Sequence, residues 1–340
     1  RSSDLLLLLD NLERVTSAGA ELSQLLRRCP SLRVLATSRV PLHLQGEYEV
    51  PIRPFTTPKP AQAPSLEELA TNEAVSLFLE RARAVEPHLS LSAENAGYVA
   101  EICRRVNGIP LALELAAARA NILHLPVLAG ELELALPLLV GGRRDAPARH
   151  QTMRDAISWS FEILSERTAQ LFPQLAIFIG TWSVQAASDV IEAARESDGS
   201  PSPSPGSVME AVLELAEHGL IRNAPRRDDV TGFTMLEVVR EFGLELLEAA
   251  GRTADLRSAH AAHFLAFAEQ SALGLAGPEQ SDWMARLRAQ YEDIRAAMSW
   301  AVKSGDAETA LRLGGALWPY WARIGKLSEG RLWLERALTL

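Results

Sequence analysis

Two apolar runs in the first forty residues predict parallel β-strands. Five consecutive leucines, Leu5 to Leu9, show no polar alternation, a pattern typical of a strand covered on both faces in a parallel sheet. Leu32 to Ala36 is the next such run, and residues 47–52 favour a short edge strand within a proline-rich stretch. These strands are too few to cover both faces of the leucine run. We therefore expect roughly two or three further βα units before Arg1. The sequence would then be part of a longer protein, and alone it should expose its leading sheet edge.

Between residues 65 and 148 the apolar positions recur at helical spacing. Asn72 is the predicted cap of one helix, and a second is predicted from Ser92 to Asn107, where Gly108 suits a left-handed cap. Pro110 then begins another helix, at a position where its missing N–H costs nothing. Residues 108–111 are therefore predicted to form a corner between two helices.

Between residues 149 and 251 the pattern predicts three helices and two short strands. Thr152 and Ser165 are predicted helix caps, and residues 208–217 form the third helix. Strands are predicted at residues 220–223 and 232–235. Three helices followed by a two-stranded wing are typical of a winged helix.

The rest of the chain predicts helical repeats. Residues 295–302 align with residues 331–338, 36 residues later, and Gly305 and Gly325 fall in the intervening turns. This period resembles that of tetratricopeptide repeats. The aromatic residues of the region are expected to lie in the repeat core: Trp318, Tyr320, Trp321 and Trp333.

The amino-acid composition limits the kinds of partner that this region can be expected to bind. The 340 residues carry a formal net charge of −9, which argues against broad nucleic-acid binding by this region. The two cysteines, Cys29 and Cys103, lack a metal-binding spacing and fit a reduced cytoplasmic protein. No apolar run approaches the roughly eighteen residues that a membrane helix requires, so no membrane partner is expected.

The candidate chemistry lies where the two predicted strands end. Asp10 follows the first strand, and Thr37, Ser38 and Arg39 follow the second. Since the carboxyl ends of parallel strands form the ligand crevice of an open sheet, a carboxylate for Mg²⁺ would lie beside a guanidinium for phosphate. The alternative is that these are ordinary solvated residues in the turns after strands.

The ordered set of motifs resembles the NB-ARC (AP-ATPase) group of STAND-class signal-transduction ATPases. It is most similar to large bacterial transcriptional regulators of the LuxR type. The resemblance rests on residues 5–10, 36–39 and 108–116. It implies that Asp10 belongs to a Walker B strand and positions Mg²⁺, that Arg39 reads the terminal phosphate, and that Pro110 packs against the base of ATP or ADP. Five further residues would complete the nucleotide site: Asn11, Thr37, Ser38, Gly108 and Leu111.

The implied fold class is α/β followed by all-α. It comprises a partial P-loop NTPase parallel sheet, a helical GxP domain, a winged helix and the start of a tetratricopeptide-like array. The corresponding ranges are 1–64 for the α/β part, 65–148 for the GxP domain, 149–251 for the winged helix and 252–340 for the repeats.

The chain departs from the family pattern at three places. Asn11 replaces the second acid that often acts as the catalytic base, leaving Asp10 and Glu13 as catalytic candidates. No Gly-x-x-x-x-Gly-Lys-Ser/Thr loop occurs anywhere in the sequence. The resemblance also implies that the winged helix folds back onto the nucleotide as a latch, through a segment that contains Met235, Glu237 and Arg240. In this segment the histidine position of the family is Leu236, which cannot hydrogen-bond a phosphate, so Glu237 or Arg240 is expected to pair with the GxP region instead.

The resulting hypothesis is an ATP/ADP-binding switch in a signalling or transcriptional regulator, with slow ATP hydrolysis at most. Its partners would be nucleotide and Mg²⁺, proteins that bind the helical repeats, and a second copy in a nucleotide-dependent oligomer. DNA would be contacted only through a domain outside this stretch. Two alternatives stay open: a nucleotide-free interaction scaffold, and direct DNA binding through the winged helix with Arg226 and Arg227 at the wing.

Overall fold

The computed structural model describes residues 5–12, 19–59, 65–132, 135–140, 151–198, 206–224 and 232–340. Within these residues the chain is mostly helical, with a two-stranded parallel sheet near its start and a two-stranded antiparallel sheet further along. The predicted order of an α/β start followed by helices is confirmed at this level.

The parallel sheet pairs β1 (Leu5–Leu9) with β2 (Leu32–Ala36). Leu5 lies opposite Leu32, and Leu9 lies opposite Ala36. The helix α1 (Gly19–Arg28) connects the strands, as parallel neighbours require a crossover. The carboxyl ends of β1 and β2 therefore lie side by side.

The described residues do not bury the leucines of β1. Leu5, Leu6 and Leu8 are 63%, 58% and 67% exposed. The burial predicted from the leucine run is missing here because β2 is the only strand that pairs with β1 in the described part of the chain. The edge strand predicted at residues 47–52 is wrong, because the structure has no strand there. No described strand lies beside these residues, and Pro51 lacks the N–H that a strand pairing needs.

Five helices lie between residues 65 and 132 and bury their apolar faces against one another. They are α2 (Leu66–Ala70), α3 (Glu73–Arg83), α4 (Ala96–Arg105), α5 (Pro110–Ala117) and α6 (Leu125–Glu131). Asn72 caps α3 as predicted, because its side-chain oxygen accepts from the Val75 amide at 3.2 Å. The helix predicted from Ser92 begins only at Ala96, since Ser92 to Asn95 form a turn closed by the Asn95 side chain.

The next segment carries the second sheet and five more helices. Its elements are α7 (Met153–Phe161), α8 (Glu166–Leu175), α9 (Val184–Asp198), α10 (Ser207–Glu217), β3 (Ile221–Asn223), β4 (Phe233–Met235) and α11 (Glu237–Ala249). The predicted caps are confirmed, since Thr152 accepts from the Asp155 amide and Ser165 accepts from the Thr168 amide. Helix α9 was not predicted.

Four helices complete the described chain and pack in a helical repeat-like arrangement. They are α12 (Thr253–Leu275), α13 (Gln280–Ser304), α14 (Ala307–Ile324) and α15 (Leu327–Leu338). Gly305 and Gly325 end α13 and α14 with φ of 76° and 73°, as the turn prediction requires. Tyr320 and Trp321 are buried, whereas Trp318 is 58% exposed. The prediction of a core role for Trp318 is therefore wrong, because its position lies on the outer face of α14.

A buried aspartate joins the repeat helices to the preceding segment. Asp293 of α13 is fully buried and accepts from the backbone amides of Ile179 and Gly180 at 2.7 and 2.9 Å. The Nε2 atom of His260 in α12 lies 3.1 Å from the same carboxylate. Since a buried carboxylate needs several donors, this contact fixes how α12 and α13 meet the loop after α8.

Candidate functional site

Three predicted site residues form a hydrogen-bonded cluster at the carboxyl ends of β1 and β2. The Thr37 hydroxyl donates to Oδ1 of Asp10, and the Asn11 side-chain amide donates to Oδ2 of Asp10 at 2.8 Å. The Asn11 backbone amide donates to Thr37 Oγ1 at 3.1 Å. Asn11 adopts a left-handed conformation with φ of 58°, which turns the chain sharply after β1. The strand register thus brings Asp10, Asn11 and Thr37 together as predicted.

Ser38 and Arg39 lie beside this cluster and line a large open cleft. The Ser38 hydroxyl donates to the Val40 carbonyl at 2.6 Å, which tightens the turn after β2. Arg39 is half-buried and has interaction partners within the protein. The position of the Arg39 side chain is therefore fixed by the end of β2 and by contacts within the protein.

The helix corner lies across the same cleft. Asn107 and Gly108 both have positive φ, 54° and 65°, and the Phe55 amide donates to the Gly108 carbonyl at 3.0 Å. A Cβ atom at Gly108 would overlap the Phe55 carbonyl, so only glycine fits. Pro110 begins α5, and Pro110 and Leu111 line the cleft together with Arg39.

The cleft has a volume of about 2720 Å³, several times the roughly 300 to 1,000 Å³ of a pocket fitted to one small ligand. Its walls come from the turn after β2, the segment 40–54, α5, and the face formed by α7, α10 and β3. It is therefore a gap between two parts of the chain, wide enough for a nucleotide and open to solvent.

Both walls of this gap contribute an arginine. Arg53 and Arg222 both line the cleft. Burial lowers the pKa of Arg222, and the positive charge of Arg53 lowers it further. The two guanidinium groups thus repel each other, and an anion between them would relieve that repulsion.

The three latch residues do not line the cleft. Met235 is buried at the end of β4. Glu237 and Arg240 pair with each other along α11, with Arg240 Nη2 2.5 Å from Glu237 Oε1. The hypothesis that Glu237 or Arg240 pairs with residues 108–111 finds no such contact among the described residues. Leu236 and Val239 are the residues of this segment that face the cleft.

A residue that the sequence reasoning missed makes the link that the latch motif was expected to make. Glu241 of α11 is buried and accepts from the Leu136 backbone amide at 3.0 Å. Burial raises the pKa of Glu241, the hydrogen bonds from Leu136 and Ala135 oppose the shift, and Glu245 and Glu237 reinforce it. Glu241 lies one turn after Glu237 on the same helix, but nothing in the sequence indicated its distant backbone partner.

Other predicted residues fall outside the described part of the chain. Glu13, the second catalytic candidate, lies outside the described residues, as do Arg226 and Arg227 of the predicted wing. Within the described residues, no group of three or more histidine, cysteine or acidic side chains is arranged to hold a metal ion. None of the described helices combines the length and apolar character needed to span a bilayer.

Comparison with known proteins yields relatives in mycobacteria. A Mycobacterium tuberculosis protein named "Putative HTH-type transcriptional regulator" is 36% identical over 98% of this chain, and a Mycobacterium bovis protein of the same name matches equally. An uncharacterized M. tuberculosis protein is 34% identical over 72% of the chain and 58% of its own length. The chain spans about a third (35%) of the length of the named regulators. No family model matches the sequence.

Proposed function

We propose that this chain is the regulatory core of a nucleotide-dependent transcriptional regulator, in which ADP and ATP favour different arrangements of the parts around the large cleft. The main observation that supports this proposal is that Asp10, Asn11 and Thr37 form one hydrogen-bonded cluster, while Arg39 and Pro110 line the adjacent cleft. These are the residues that the family resemblance assigns to Mg²⁺, phosphate and base. The names of the mycobacterial relatives support the regulator part of the proposal.

The donor set at Asp10 suits Mg²⁺ in one binding mode. Magnesium keeps several waters and is usually held by one or two carboxylates together with substrate phosphates. Asp10 offers one carboxylate, and the Thr37 hydroxyl adjoins it. When bound, the ion would neutralise phosphate charge. Asp10 would hold it, Thr37 and Asn11 would orient the carboxylate, and Arg39 would bind a terminal phosphate oxygen.

We interpret the segment from α7 to α11 as a winged helix that acts as a latch. It supplies one wall of the cleft, including Leu236, Val239 and Arg222. Its last helix is joined to the GxP segment through the Glu241 to Leu136 hydrogen bond. A rearrangement at the cleft would therefore reach α11 and, through it, the repeat helices.

Direct DNA binding by this segment is the weaker alternative. Helix α10, the helix before the two strands, carries Glu210, Glu214 and Glu217 and contains neither lysine nor arginine. A helix that enters a DNA groove approaches many phosphates. An acidic helix at that place would be repelled, which favours the latch interpretation.

The test is a titration of ATP and ADP, with and without Mg²⁺, into the 340-residue chain and into the product of its complete gene (the extended form). In the extended form, Arg39→Ala should weaken ATP binding roughly 10- to 100-fold, with ADP nearly unchanged, because one charge-assisted hydrogen bond is lost. Arg33→Ala is the matched control, since Arg33 lies on β2, the strand that Arg39 follows, and is exposed. Equal losses for both nucleotides in Arg39→Ala would contradict the phosphate role.

Asp10→Asn tests the metal role separately. The variant should weaken nucleotide binding only when Mg²⁺ is present, and chelating the metal should bring wild type and variant together. A deficit that persists without metal would make Asp10 a structural residue. If the extended form carries no phosphate loop and binds ATP no better than the chain alone, the nucleotide-free scaffold is the correct description.

A further inference from the structure

A second, smaller cavity lies where α11 meets the repeat helices. Its volume is about 390 Å³, which matches one small ligand and is far too small for a folded partner. It shares no lining residue with the large cleft. Its walls come from α11 on one side, from α12, α13 and α15 on the other, and from the loop after α8.

The lining carries an excess of positive charge. Four cationic side chains and one acidic side chain line the cavity: Arg240, Arg257, Arg295, Lys303 and Glu292. Arg240 is neutralised from outside by Glu237, and Arg295 lies near Glu292 and Glu329. Across the residues that the structure describes, Arg257 and Lys303 form no ion pair.

Arg257 is held in a way that leaves its donors usable. Its guanidinium lies over the ring of Trp300, 5.4 Å from the centroid, and the indole N–H of Trp300 donates to the Ser258 hydroxyl at 3.2 Å. Stacking occupies one face of the guanidinium, whereas its five N–H donors lie in the plane of the group and are not used by the stacking contact. Arg257 is thus positioned to receive an anion.

The same cavity has flat apolar surface. Trp300 and Trp333 are both half-buried and line it, together with Ile177 and Leu244. Lys303 lies in the last turn of α13, where the helix dipole favours a cation, so Lys303 alone needs no ligand. Arg257 stacked on an indole, with a lysine and a second indole on the same cavity, is better explained by a ligand that is both anionic and flat.

We propose that this cavity binds a small organic anion with a flat apolar body, such as an aromatic carboxylate. The carboxylate would be held by Arg257 and Lys303, and the ring would lie between Trp300 and Trp333. Because α11 forms one wall and the repeat helices form the other, the bound ligand holds these parts together. This site does not depend on nucleotide binding at the large cleft.

The experiment uses three probes and calorimetric titration of the 340-residue chain. Naphthalene-2-carboxylate carries ring and charge, naphthalene-2-carboxamide has the ring without the charge, and acetate has the charge without the ring. We expect the carboxylate to bind with a dissociation constant of about 1 mM or tighter, a value ordinary for a ligand of this size. The other two probes should bind at least about tenfold more weakly.

Substitutions then locate the site. Arg257→Gln and Lys303→Gln should each weaken carboxylate binding about tenfold, while the exposed Arg331→Gln on α15 is the matched control and should bind like wild type. Melting curves without probe check the fold, and Lys303→Gln alone decides if Arg257→Gln unfolds, since Lys303 is exposed. Equal binding of carboxylate and carboxamide, no saturable carboxylate binding, or an equal loss in Arg331→Gln would each overturn the proposal.

Discussion

Both ends of this chain contain leucine-rich elements, but the two ends bury their leucines very differently. In the sheet, Leu5, Leu6 and Leu8 are 58–67% exposed, whereas Leu313 and Leu317 of α14 are 0% and 1% exposed. A strand is covered only when other strands and helices pack on its faces, and these come from distant parts of a chain. Helices in a repeat bury their faces against the next helix in sequence. An apolar pattern therefore predicts an element, whereas its burial depends on where its partners are encoded.

Removing the buried carboxylate of the helical region should have the largest effect. Asp293→Ala leaves the amides of Ile179 and Gly180 and the ring of His260 without their shared acceptor, so we expect a loss of about 3 to 5 kcal/mol in the free energy of unfolding. Urea denaturation measures it. Glu292→Ala, at the exposed neighbouring position, should change stability by at most about 0.5 kcal/mol. A loss below about 1 kcal/mol for Asp293→Ala would mean that apolar packing alone joins the repeats to the rest.

The same substitution made at both ends measures the comparison directly. Leu313→Ala in α14 should cost about 3 kcal/mol, because it leaves a cavity at a position with no exposure. Leu8→Ala in β1 should cost at most about 0.5 kcal/mol, because its side chain is already 67% exposed. Both variants are compared with wild type by thermal and chemical unfolding. Equal losses would show that the sheet leucines are covered in solution.

Local signals predicted much of this fold. The caps at Asn72 and Thr152 and the corner at Gly108 and Pro110 depend on contacts within a few residues, and all four are confirmed. The cluster at Asp10 followed from the rule that parallel strands end at one edge. These features share one property, which is that the residues making them are close in sequence or fixed by strand register.

Features that depend on distant partners were missed. Asp293 and Glu241 bind backbone amides far away in sequence, and a carboxylate carries no mark of which distant amide it will meet. Helix α9 is different, because its buried positions 187, 190, 191 and 194 follow helical spacing and the signal was present in the sequence. The exposure of Trp318 shows the reverse error, since an aromatic residue does not reveal which face of its helix is covered.

The hydrogen-bonded carboxylate of Glu214 in α10 should make a pH-dependent contribution of intermediate size to the free energy of unfolding. Burial alone would raise the pKa of Glu214, but hydrogen bonds from Thr168 and Ser165 outweigh it and lower the pKa. A lowered pKa stabilises the fold above the unfolded value of about 4.3, and that stability is lost as pH falls through the folded value. Glu214→Gln should therefore cost about 1 to 2 kcal/mol at neutral pH.

Unfolding measured at several pH values tests whether the charge of Glu214 is responsible. The difference between wild type and Glu214→Gln should shrink as pH falls from 7 towards the acid range, in unfolding curves recorded at each pH. Glu210→Gln is the matched variant, since its side chain is 70% exposed and pairs with Arg167 at the surface. Its effect should stay within about 0.5 kcal/mol. A difference for Glu214→Gln that does not change with pH would mean that shape, and not charge, makes the contact.

A small stability effect is expected at the candidate site in the sheet region, where a substitution can separate function from folding. Thr37→Val keeps the β-branched shape that a strand end favours but removes the hydroxyl that donates to Asp10 and accepts from the Asn11 amide. Because Thr37 is exposed, water can solvate the groups left behind, and the free energy of unfolding should fall by less than about 1 kcal/mol. Thr37→Ser, which keeps the hydroxyl, should resemble wild type. In the extended protein, Mg²⁺-dependent nucleotide binding should nevertheless weaken about tenfold in Thr37→Val, since Asp10 loses the contact that orients it. A stability loss above about 2 kcal/mol with unchanged nucleotide binding would mean that the cluster stabilises the fold and does not bind nucleotide. The sheet region and the repeat helices would then differ only in how far they bury their leucines.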